Sequence, residues 1–248
     1  MTITKKKYLN NFSLKWANVF FDSFYSKPKV DIIYEWQYTQ KKGFSQDFYT
    51  LALDLPKNEE EILSNFEKNT KYEINRAKTK DNLEIKTVNC ESKQDFYSFY
   101  NTFASSKKLP LININETDSF IENNIYVIRA AFYEGEPIVY HTYVTANNRA
   151  RLMLSASLFR DSDNSFKNLV GRANRLLHWE DILYFKEQNF LIYDFGGINK
   201  DKKNKETQAI NKFKECFGGE LIKEYKNQIP LTFKGFLFLL CKRLIGKF

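Results

Sequence analysis

Two short segments in the second half of the chain carry the residues best suited to chemistry. The first, residues 190–198, has the apolar pattern of a strand that ends in Asp194 and continues into Gly196 and Gly197. A carboxylate in so apolar a strand must be paired or hydrogen-bonded, because an unpaired buried charge is costly. Glycines beside it allow a ligand or another backbone to come close. This combination predicts a site around Asp194, which either acts directly or orients the glycine loop without taking a proton.

The second segment is a predicted helix, residues 207–217, with Lys214 at the margin of its apolar stripe. The stripe consists of Ile210, Phe213 and Phe217. This geometry places Lys214 within reach of the strand end that bears Asp194. An ammonium group there would stabilise an oxyanion or bind a substrate phosphate, and one good donor is worth about 3–4 kcal/mol of a reaction barrier. The alternative is an ordinary surface lysine.

His141 is a third candidate, because a histidine can take a proton from an amine or a hydroxyl near neutral pH. It lies in a predicted strand, residues 138–145, and the next strand offers Ser155 and Ser157 to a substrate. Base catalysis of this kind is typically worth ~10²–10⁴ in rate. The alternative is a core histidine whose hydrogen bonds are satisfied.

A polar line runs along a predicted long helix, residues 166–188. Asn174, His178 and Asp181 follow one another at i, i+4 and i+7 on an otherwise apolar helix, so each needs a polar partner. We assign Asn174, His178, Tyr193 and Phe213 to substrate binding. The alternative is that His178 pairs with Asp181 or with a backbone carbonyl.

The elements that must position these residues can be read from the apolar periodicity. Residues 12–25 predict an amphipathic helix, residues 30–37 and 48–55 predict strands, and residues 56–80 predict one charged helix. The rest of the chain predicts a strand at 83–88, then helices at 95–105 and 117–123, the second capped by Thr117 or Asn115. A three-strand meander over 125–156 follows, with a turn at Asn147-Asn148. The long helix, the Tyr193 strand, the Lys214 helix and a strand at 220–225 complete the order.

The segments around Asp194 and Lys214 resemble the Fem family, the aminoacyltransferases that build peptidoglycan cross-bridges, and their relatives in the GNAT superfamily. Residues 177–182, 193–198 and 213–219 carry the resemblance, with a weaker match at 48–55, 74–78 and 83–85. It implies an α/β (α+β) fold of the GNAT type, in which a mixed, mostly antiparallel sheet is flanked by helices. Fem proteins are similar to two such domains joined together, so 248 residues hold one full unit plus a reduced N-terminal GNAT-like part.

This resemblance suggests three parts. Residues 1–80 would form the N-terminal part with its charged connecting helix, residues 81–230 the GNAT domain, and residues 231–248 a basic amphipathic helix. Helical spacing places Phe233, Phe236, Leu237, Leu240, Leu244 and Phe248 on one side of that last helix, with basic residues around them. Such a helix can lie on an anionic bilayer surface. The alternatives are packing on the domain or a dimer contact.

The resemblance also implies roles for particular residues. In Fem enzymes a Phe-Lys pair, here Phe213 and Lys214, is associated with the acceptor and with the charge that develops on the transferred carbonyl. GNAT sheets splay near the positions of Ser155 and Ser157 to receive the acyl group. In GNAT proteins the donor pyrophosphate binds where the long helix begins, on a motif like Arg/Gln-x-x-Gly-x-Gly/Ala. The matching residues are Asn168, Gly171, Arg172 and Ala173, with Asn168 a departure.

The proposed donor site has a physical basis, because free N–H groups at a helix start and the Arg172 charge both favour a phosphate. The alternative is an ordinary helix with Gly171 at a close packing contact. On the first interpretation an acyl-CoA would be the donor substrate, and the acceptor would be a nucleotide-linked or lipid-linked sugar or peptide precursor.

Composition limits the other classes of function. The net charge of +8 suits an anionic partner such as a nucleotide, CoA, tRNA or an acidic membrane surface, although it can also serve solubility alone. Aromatic residues make up 17% of the chain, which argues against disorder. Three dispersed cysteines and two histidines give no metal-ligand spacing, so we expect no metal. Without a secretory signal or a spanning apolar run, we expect a cytoplasmic protein, with peripheral contact to the inner face of the cell membrane as an option.

These features favour an acyltransferase that moves an acyl or aminoacyl group from an activated donor, acyl-CoA in the first instance, to an amine or hydroxyl of a cell-envelope sugar or peptidoglycan-type precursor. Two alternatives stay open. One is a Fem-type transferase that uses aminoacyl-tRNA, and the other is a non-catalytic GNAT-like module that binds RNA or an anionic membrane. The sequence does not specify an oligomeric state.

Overall fold

A computed structural model describes residues 2–7, 13–158, 163–201 and 203–245. Within these ranges the strands are β1 (Thr2–Lys7), β2 (Ser13–Phe20), β3 (Ile32–Tyr38), β4 (Phe44–Asp54), β5 (Glu84–Thr87), β6 (Tyr126–Tyr133), β7 (Glu136–Ala146), β8 (Arg149–Ser157), β9 (Ile192–Gly197) and β10 (Glu220–Pro230). The helices are α1 (Glu59–Ser64), α2 (Lys68–Lys80), α3 (Lys93–Lys107), α4 (Ile114–Glu122), α5 (Asn164–Glu187), α6 (Lys205–Glu215) and α7 (Phe233–Leu244).

All ten strands join one sheet, in the order β1-β2-β3-β10-β4-β9-β8-β7-β6-β5. Two neighbouring pairs, β2 with β3 and β8 with β9, are parallel, and the other pairs are antiparallel. The predicted fold class, a mixed and mostly antiparallel sheet flanked by helices, is therefore confirmed. The proposed division at residue 80 stays a prediction, although strands from both sides of it share this sheet.

Helices cover both faces of the sheet. Successive side chains of a strand point to opposite faces, so Tyr193, which contacts α5, and Asp194, which does not, define the two sides. On the α5 face, α2, α5 and α6 enclose the largest core, which includes Ile74, Trp179 and Phe217. On the other face, here called the α3 face, α3 and α4 pack over β6 and β7 through Phe96 and Phe120.

The helix predicted at residues 12–25 is wrong, because β2 occupies most of that range. The burial along β2 explains the error. From Ala17 to Phe20 four successive side chains are buried, which is the pattern of an inner strand covered on both faces. The helix was predicted from Phe12, Trp16, Val19, Phe20 and Phe24 near helical spacing; of these, Phe24 is 98% exposed and Phe12 lies outside the described residues.

The predicted helix at 56–80 is two helices, with a break between Ser64 and Lys68. The first begins with a capping box in which Asn58 and Glu61 bond each other's backbone N–H groups. Phe66, in the break, is still buried against Trp179 and Phe217, so the core contact is kept although the helix is interrupted. The cap of α4 is also corrected: it is Asn113, whose side chain accepts from Glu116 N–H.

The remaining predicted elements are confirmed within a few residues. The meander of β6, β7 and β8 is present, and its second turn at Asn147 and Asn148 has φ of 46° and 56°, values that asparagine tolerates well. One boundary matters for function. The long helix α5 begins at Asn164, with Asp163 capping Phe166 N–H, so residues 168–173 lie inside the helix.

Candidate functional site

The sheet opens between β8 and β9. Their parallel ladder is short and ends at the pair Arg151 and Asp194. Beyond it β8 remains paired with β7 as far as Ser157, while β9 remains paired with β4 as far as Gly197. Because the two strands follow different neighbours, their C-terminal ends diverge. We call this place the fork; it is the splay that the resemblance led us to expect.

Gly196 sits at the base of the fork and has φ of +76°. A Cβ on this residue would lie 2.9 Å from the carbonyl oxygen of Leu152 in β8, so the close approach of the two backbones requires glycine. The Gly196 N–H donates to Asp194 Oδ1 at 2.7 Å. Asp194 thus shapes the glycine turn, which is one of the two roles considered for it.

Lys214 reaches the fork from α6. Its Nζ donates to the carbonyl oxygen of Gly197 at 2.8 Å. Burial lowers the pKa of Lys214 to about 8; the nearby charge of Arg151 also lowers it, whereas Asp194 acts in the opposite direction. The ammonium group therefore lies beside the diverging strand ends, where the sequence placed it, and it changes protonation close to neutral pH.

Two further cations lie near the fork on the α3 face of the sheet, and the sequence analysis missed both. Arg151 is 9% exposed, and its Nε has no hydrogen-bond partner among the described residues. Its guanidinium carbon lies 5.4 Å from the ring centre of Phe48, and Lys226 Nζ lies 4.3 Å from the same ring. Phe48 in turn packs against Gly197: a Cβ on Gly197 would lie 3.2 Å from the Phe48 ring. We name Lys214, Arg151 and Lys226 the cation row.

The charges of the cation row are poorly compensated. Burial lowers the pKa of Arg151, and burial together with the Arg151 charge lowers the pKa of Lys226 to about 8. Within the described part of the chain, neither Arg151 nor Lys226 forms an ion pair with a carboxylate. The carboxylates of Asp194 and Glu224 act on Arg151 only at a distance, and they are already bonded to Arg149. Desolvated cations without a direct carboxylate partner are costly, so the row has the chemistry of an anion site. Two arginines in an apolar strand, Arg149 and Arg151, were the available sequence signal.

Asp194 belongs to a separate, closed network. Its carboxylate accepts from Arg149 Nη2 at 2.6 Å and from Gln37 Nε2 at 2.8 Å, and the Thr50 hydroxyl donates to it as well. Arg149 also donates to Glu224 Oε1 at 2.6 Å. Burial would raise the pKa of Asp194, but the charges of Arg149 and Arg151 prevail and hold it below its usual value. A carboxylate so fully engaged stays ionised and anchors five strands.

His141 points to the α5 face, into a second buried network. Its Nδ1 lies 2.8 Å from Asp181 Oδ2, and its Nε2 lies 2.7 Å from the Asn174 amide oxygen. Arg129 donates from Nε to Asp181 Oδ1 at 2.9 Å and holds the carboxylate in place. Asp181, positioned in this way, fixes the orientation of the His141 ring and leaves Nε2 as the nitrogen directed at Asn174.

The predicted pairing of His178 with Asp181 is wrong. His178 Nδ1 instead contacts the Tyr193 hydroxyl at 2.7 Å. Tyr143 donates to Asp181 at 2.6 Å, so Tyr193 donates to Tyr143 and the His178 N–H donates to Tyr193. Burial, with the charges of His141 and Lys214, holds the pKa of His178 well below 6.5, and the ring is neutral. The polar line thus becomes one chain of hydrogen bonds: Asn174, His141, Asp181, Tyr143, Tyr193 and His178.

The remaining predicted substrate residues lie on both sides of the fork. Ser155 stands directly opposite His141 in the ladder of β7 and β8 and is exposed, whereas Ser157 is opposite Val139 and half-buried. Phe213, half-buried on α6, has its ring centre 5.6 Å from that of His178. Among the described residues, no group of three or more His, Cys, Asp or Glu side chains is arranged to hold a metal ion.

The predicted donor residues line a basic cavity of about 350 Å³ between α2 and α5. The wall includes Asn168, Gly171 and Arg172, together with Arg76, Lys167 and Arg175. Ala173 is buried in the core beneath. We predicted that free backbone N–H groups at the start of the helix would bind the phosphate. This is wrong, because Gly171 is the eighth residue of α5 and lies inside the helix. Arg172 is also committed, since its Nη2 donates to Asp81 Oδ1 at 3.1 Å. Any phosphate in this cavity would rely on side chains, chiefly Arg76, Lys167 and Arg175.

Arg175 lies between the cavity and the fork. Its guanidinium carbon lies 5.1 Å from the ring centre of Phe213, the neighbour of Lys214. Its Nη1 donates to the carbonyl of Gly171 at 3.0 Å, and its buried Nε has no partner among the described residues. Basic groups therefore approach the fork from both faces of the sheet.

Comparison with solved structures identifies similar folds. The crystal structure of FemX superposes with a TM-score of 0.61 at 14% identity, covering 77% of this chain and 63% of FemX. The C-terminal domain of a putative lysylphosphatidylglycerol synthetase from Agrobacterium fabrum gives a TM-score of 0.53 at 10% identity, covering 87% of this chain and 73% of that one. L-PGS from Bacillus licheniformis gives 0.50 at 12% identity, covering 87% and 74%. No protein-family model and no curated protein matches the chain.

These likenesses establish the fold. The chain has the fold of FemX and of the lysylphosphatidylglycerol synthetase domain, which confirms the Fem-like fold expected from residues 177–219. It spans less than two thirds of the FemX chain.

Proposed function

We propose that this protein is an acyltransferase whose reaction takes place at the fork between β8 and β9. One observation carries the proposal: the strands part beside the Lys214 ammonium group, and basic side chains without a direct carboxylate partner lie near this point on both faces of the sheet, Arg151 on one and Arg175 on the other. A transferase must bring two substrates to one place. A basic surface on each face of the sheet beside the fork suits two substrates that both carry phosphate.

The donor would bind on the α5 face. Its phosphates would occupy the cavity of Arg76, Lys167 and Arg175, and its acyl group would extend past Phe213 to Lys214. Acyl-CoA is the first donor to test, and aminoacyl-tRNA is the second.

The acceptor would bind on the α3 face, with a phosphate on Arg151 and Lys226, while Lys214 serves the acyl carbonyl. A nucleotide-linked or lipid-linked sugar or peptide precursor of the cell envelope fits this arrangement, because its phosphate lies next to the part that carries an amine or hydroxyl. The acceptor nitrogen or oxygen attacks the acyl carbonyl carbon and forms a new amide or ester bond. The bond from this carbon to the donor breaks, and the donor leaves as a thiolate (CoA) or as a ribose alkoxide (tRNA). Lys214 stabilises the negative charge on the carbonyl oxygen.

His141 is our candidate base for the proton that the acceptor loses, with Asp181 as the positioning residue behind it. His141 is fully buried on the α5 face and its Nε2 faces the amide oxygen of Asn174 near the exposed Ser155, so it takes this proton only if Asn174 turns away and the acceptor amine or hydroxyl reaches the α5 face through the fork. Asp194 serves as the anchor of the glycine turn and of Arg149.

The donor assignment can be tested by thermal unfolding of the purified protein with millimolar CoA and, separately, with aminoacyl-tRNA. We expect one of them to raise the melting temperature, and the rise to disappear in the double variant Arg76→Ala, Arg175→Ala. The matched control is Lys27→Ala, Lys29→Ala, which removes two exposed charges from the β2–β3 connection and should keep the rise. If neither donor stabilises the protein, or if the control loses the effect as well, the cavity is not the donor site.

A further inference from the structure

Helix α7 has one side fixed to the sheet. Leu239 is fully buried and packs with Leu14 and Ile32 of β2 and β3. Gly235 lies so close to the backbone just before β3 that a Cβ on it would be 2.2 Å from the carbonyl oxygen of Asp31. The helix is also capped at its start, where the Thr232 hydroxyl accepts from Gly235 N–H. These contacts dock α7 on the α3 face and fix which of its sides points away.

The outward side of α7 is strongly apolar. Phe233, Leu237, Leu240 and Leu244 follow at i, i+4, i+7 and i+11, so they form one continuous stripe. They are 75%, 43%, 36% and 80% exposed, and Phe236 and Ile245 beside them are 41% and 69% exposed. We call these six residues the outer stripe. A docked helix ordinarily hides its apolar residues, so a contiguous exposed stripe of this size marks an interaction surface.

The charges around the outer stripe decide what covers it. Residues 231–248 contain four basic residues, Lys234, Lys242, Arg243 and Lys247, and no acidic residue. Lys234 is paired with Asp31 at 3.0 Å, Lys242 borders a cavity between α7 and the sheet, and Lys247 lies outside the described part of the chain. A second copy of the chain would bring the same basic segment against itself, because a two-fold interface pairs identical patches. An anionic lipid surface attracts those charges, at about 1 kcal/mol for each Lys or Arg near it.

We propose that α7 is a membrane-docking helix that lies in the surface of an anionic bilayer, with the outer stripe inserted among the lipid chains and the exposed Arg243 at the headgroups. A helix of twelve residues is about 18 Å long, which suits a helix lying in the interface. In the described part of the chain, no helix is both long enough and apolar enough to cross a membrane.

Docking through α7 would also present the α3 face to the lipid surface. Lys242 and Phe238 line a cavity of about 370 Å³ whose floor includes Trp16, Tyr34 and Trp36. Lys226 of the cation row lies 5.2 Å from the ring centre of Trp36, so the cavity and the cation row border the same side chain. A precursor carried by a lipid would thus enter from the membrane side; this last step rests on the proposed function, whereas the docking itself does not.

Vesicle flotation tests the docking. We expect the full chain to float with vesicles of phosphatidylcholine containing phosphatidylglycerol, and to bind pure phosphatidylcholine vesicles and high-salt samples far more weakly. The variant Phe233→Ser, Leu237→Ser, Leu244→Ser removes three inserted side chains and should weaken partitioning at least about tenfold. The matched control, Leu111→Ser, Leu191→Ser, Leu221→Ser, changes three apolar residues of similar exposure elsewhere and should float like the parent.

Several results would overturn the proposal. These are no flotation of the parent with anionic vesicles, equal flotation of the α7 variant whose far-UV circular dichroism matches the parent, or sedimentation showing a dimer that only the α7 variant loses. None of them depends on turnover. A protein that transfers acyl groups without floating refutes docking alone, and one that floats without binding a donor refutes the proposed function alone.

Discussion

At the scale of single residues, the chemistry depends on how Lys214 is desolvated. Its pKa falls to about 8 mainly because it is buried, and the Arg151 charge adds to the effect. Among the described residues the ammonium is held by one carbonyl oxygen, that of Gly197, so its remaining N–H groups can bind a substrate oxygen. A cation that is both buried and under-coordinated interacts strongly with a developing oxyanion.

The pH dependence of transfer follows from this pKa. Lys214 is a cation below about pH 8 and loses its charge above it, so kcat/KM should fall as the pH rises through about 8. Lys214→Arg should move this falling limb to higher pH, because the guanidinium keeps its charge. Lys214→Ala should lower kcat by about 10²–10³. Initial rates measured from pH 6 to 10 would check all three.

The control for this series is Lys212→Ala, which removes an exposed charge from the same helix and should leave both the rate and the profile unchanged. An alkaline limb that stays in place in Lys214→Arg would show that another group titrates. In that case Lys226, whose pKa also falls to about 8, becomes the next candidate.

At the scale of elements, the fork depends on the backbone of β9. The close contact between Gly196 and Leu152 brings β9 against β8 at the last point before they diverge. The same residue accommodates the positive φ that turns the chain towards Gly197, the residue that Lys214 contacts. The position of the ammonium group is therefore set by a glycine that makes no chemical contribution.

Replacing Gly196 should show this dependence. In Gly196→Ala the new Cβ meets a backbone oxygen at 2.9 Å in addition to the strain of positive φ, whereas in Gly135→Ala, also at positive φ, no atom lies within 4 Å of it. We expect Gly135→Ala to cost about 1 kcal/mol of unfolding free energy and Gly196→Ala about 3 kcal/mol. Urea denaturation measures both, and equal losses would mean that the β8–β9 contact is not tight.

Particular elements show what periodicity could and could not predict. The strand at Asp194, the helix at Lys214 and the meander have strong patterns bounded by clear turns, and all were predicted within a few residues. Residues 13–20 failed because Trp16, Val19 and Phe20 fit helical spacing, whereas the strand is covered on both faces and buries even the polar Asn18. The hydrogen-bond partners of Asp194 could not be predicted from local patterns, because Thr50 and Gln37 are 144 and 157 residues away along the chain.

At the scale of the whole molecule, β10 joins the early and the late parts of the chain. It lies between β3 and β4, so strands formed before residue 55 are held together by one formed after residue 219. The Asp194 network reinforces this arrangement, because Gln37 of β3, Thr50 of β4, Arg149 of β8 and Glu224 of β10 all belong to it. Breaking such a buried ionic network is costly, at about 3–5 kcal/mol for the loss of one partner.

This connection predicts that the chain unfolds as one unit, with no separate transition for residues 1–80. The three tryptophans can report on this, because Trp16 and Trp36 lie in β2 and β3 while Trp179 lies in α5. In Trp179→Phe, fluorescence follows the early strands, and in Trp16→Phe, Trp36→Phe it follows α5. For each variant we expect the denaturant midpoint from fluorescence to coincide with that from far-UV circular dichroism, as a two-state transition requires. Early strands that melt at a lower denaturant concentration than α5 would show that β10 does not couple the two parts, and the chain would then consist of independently stable units.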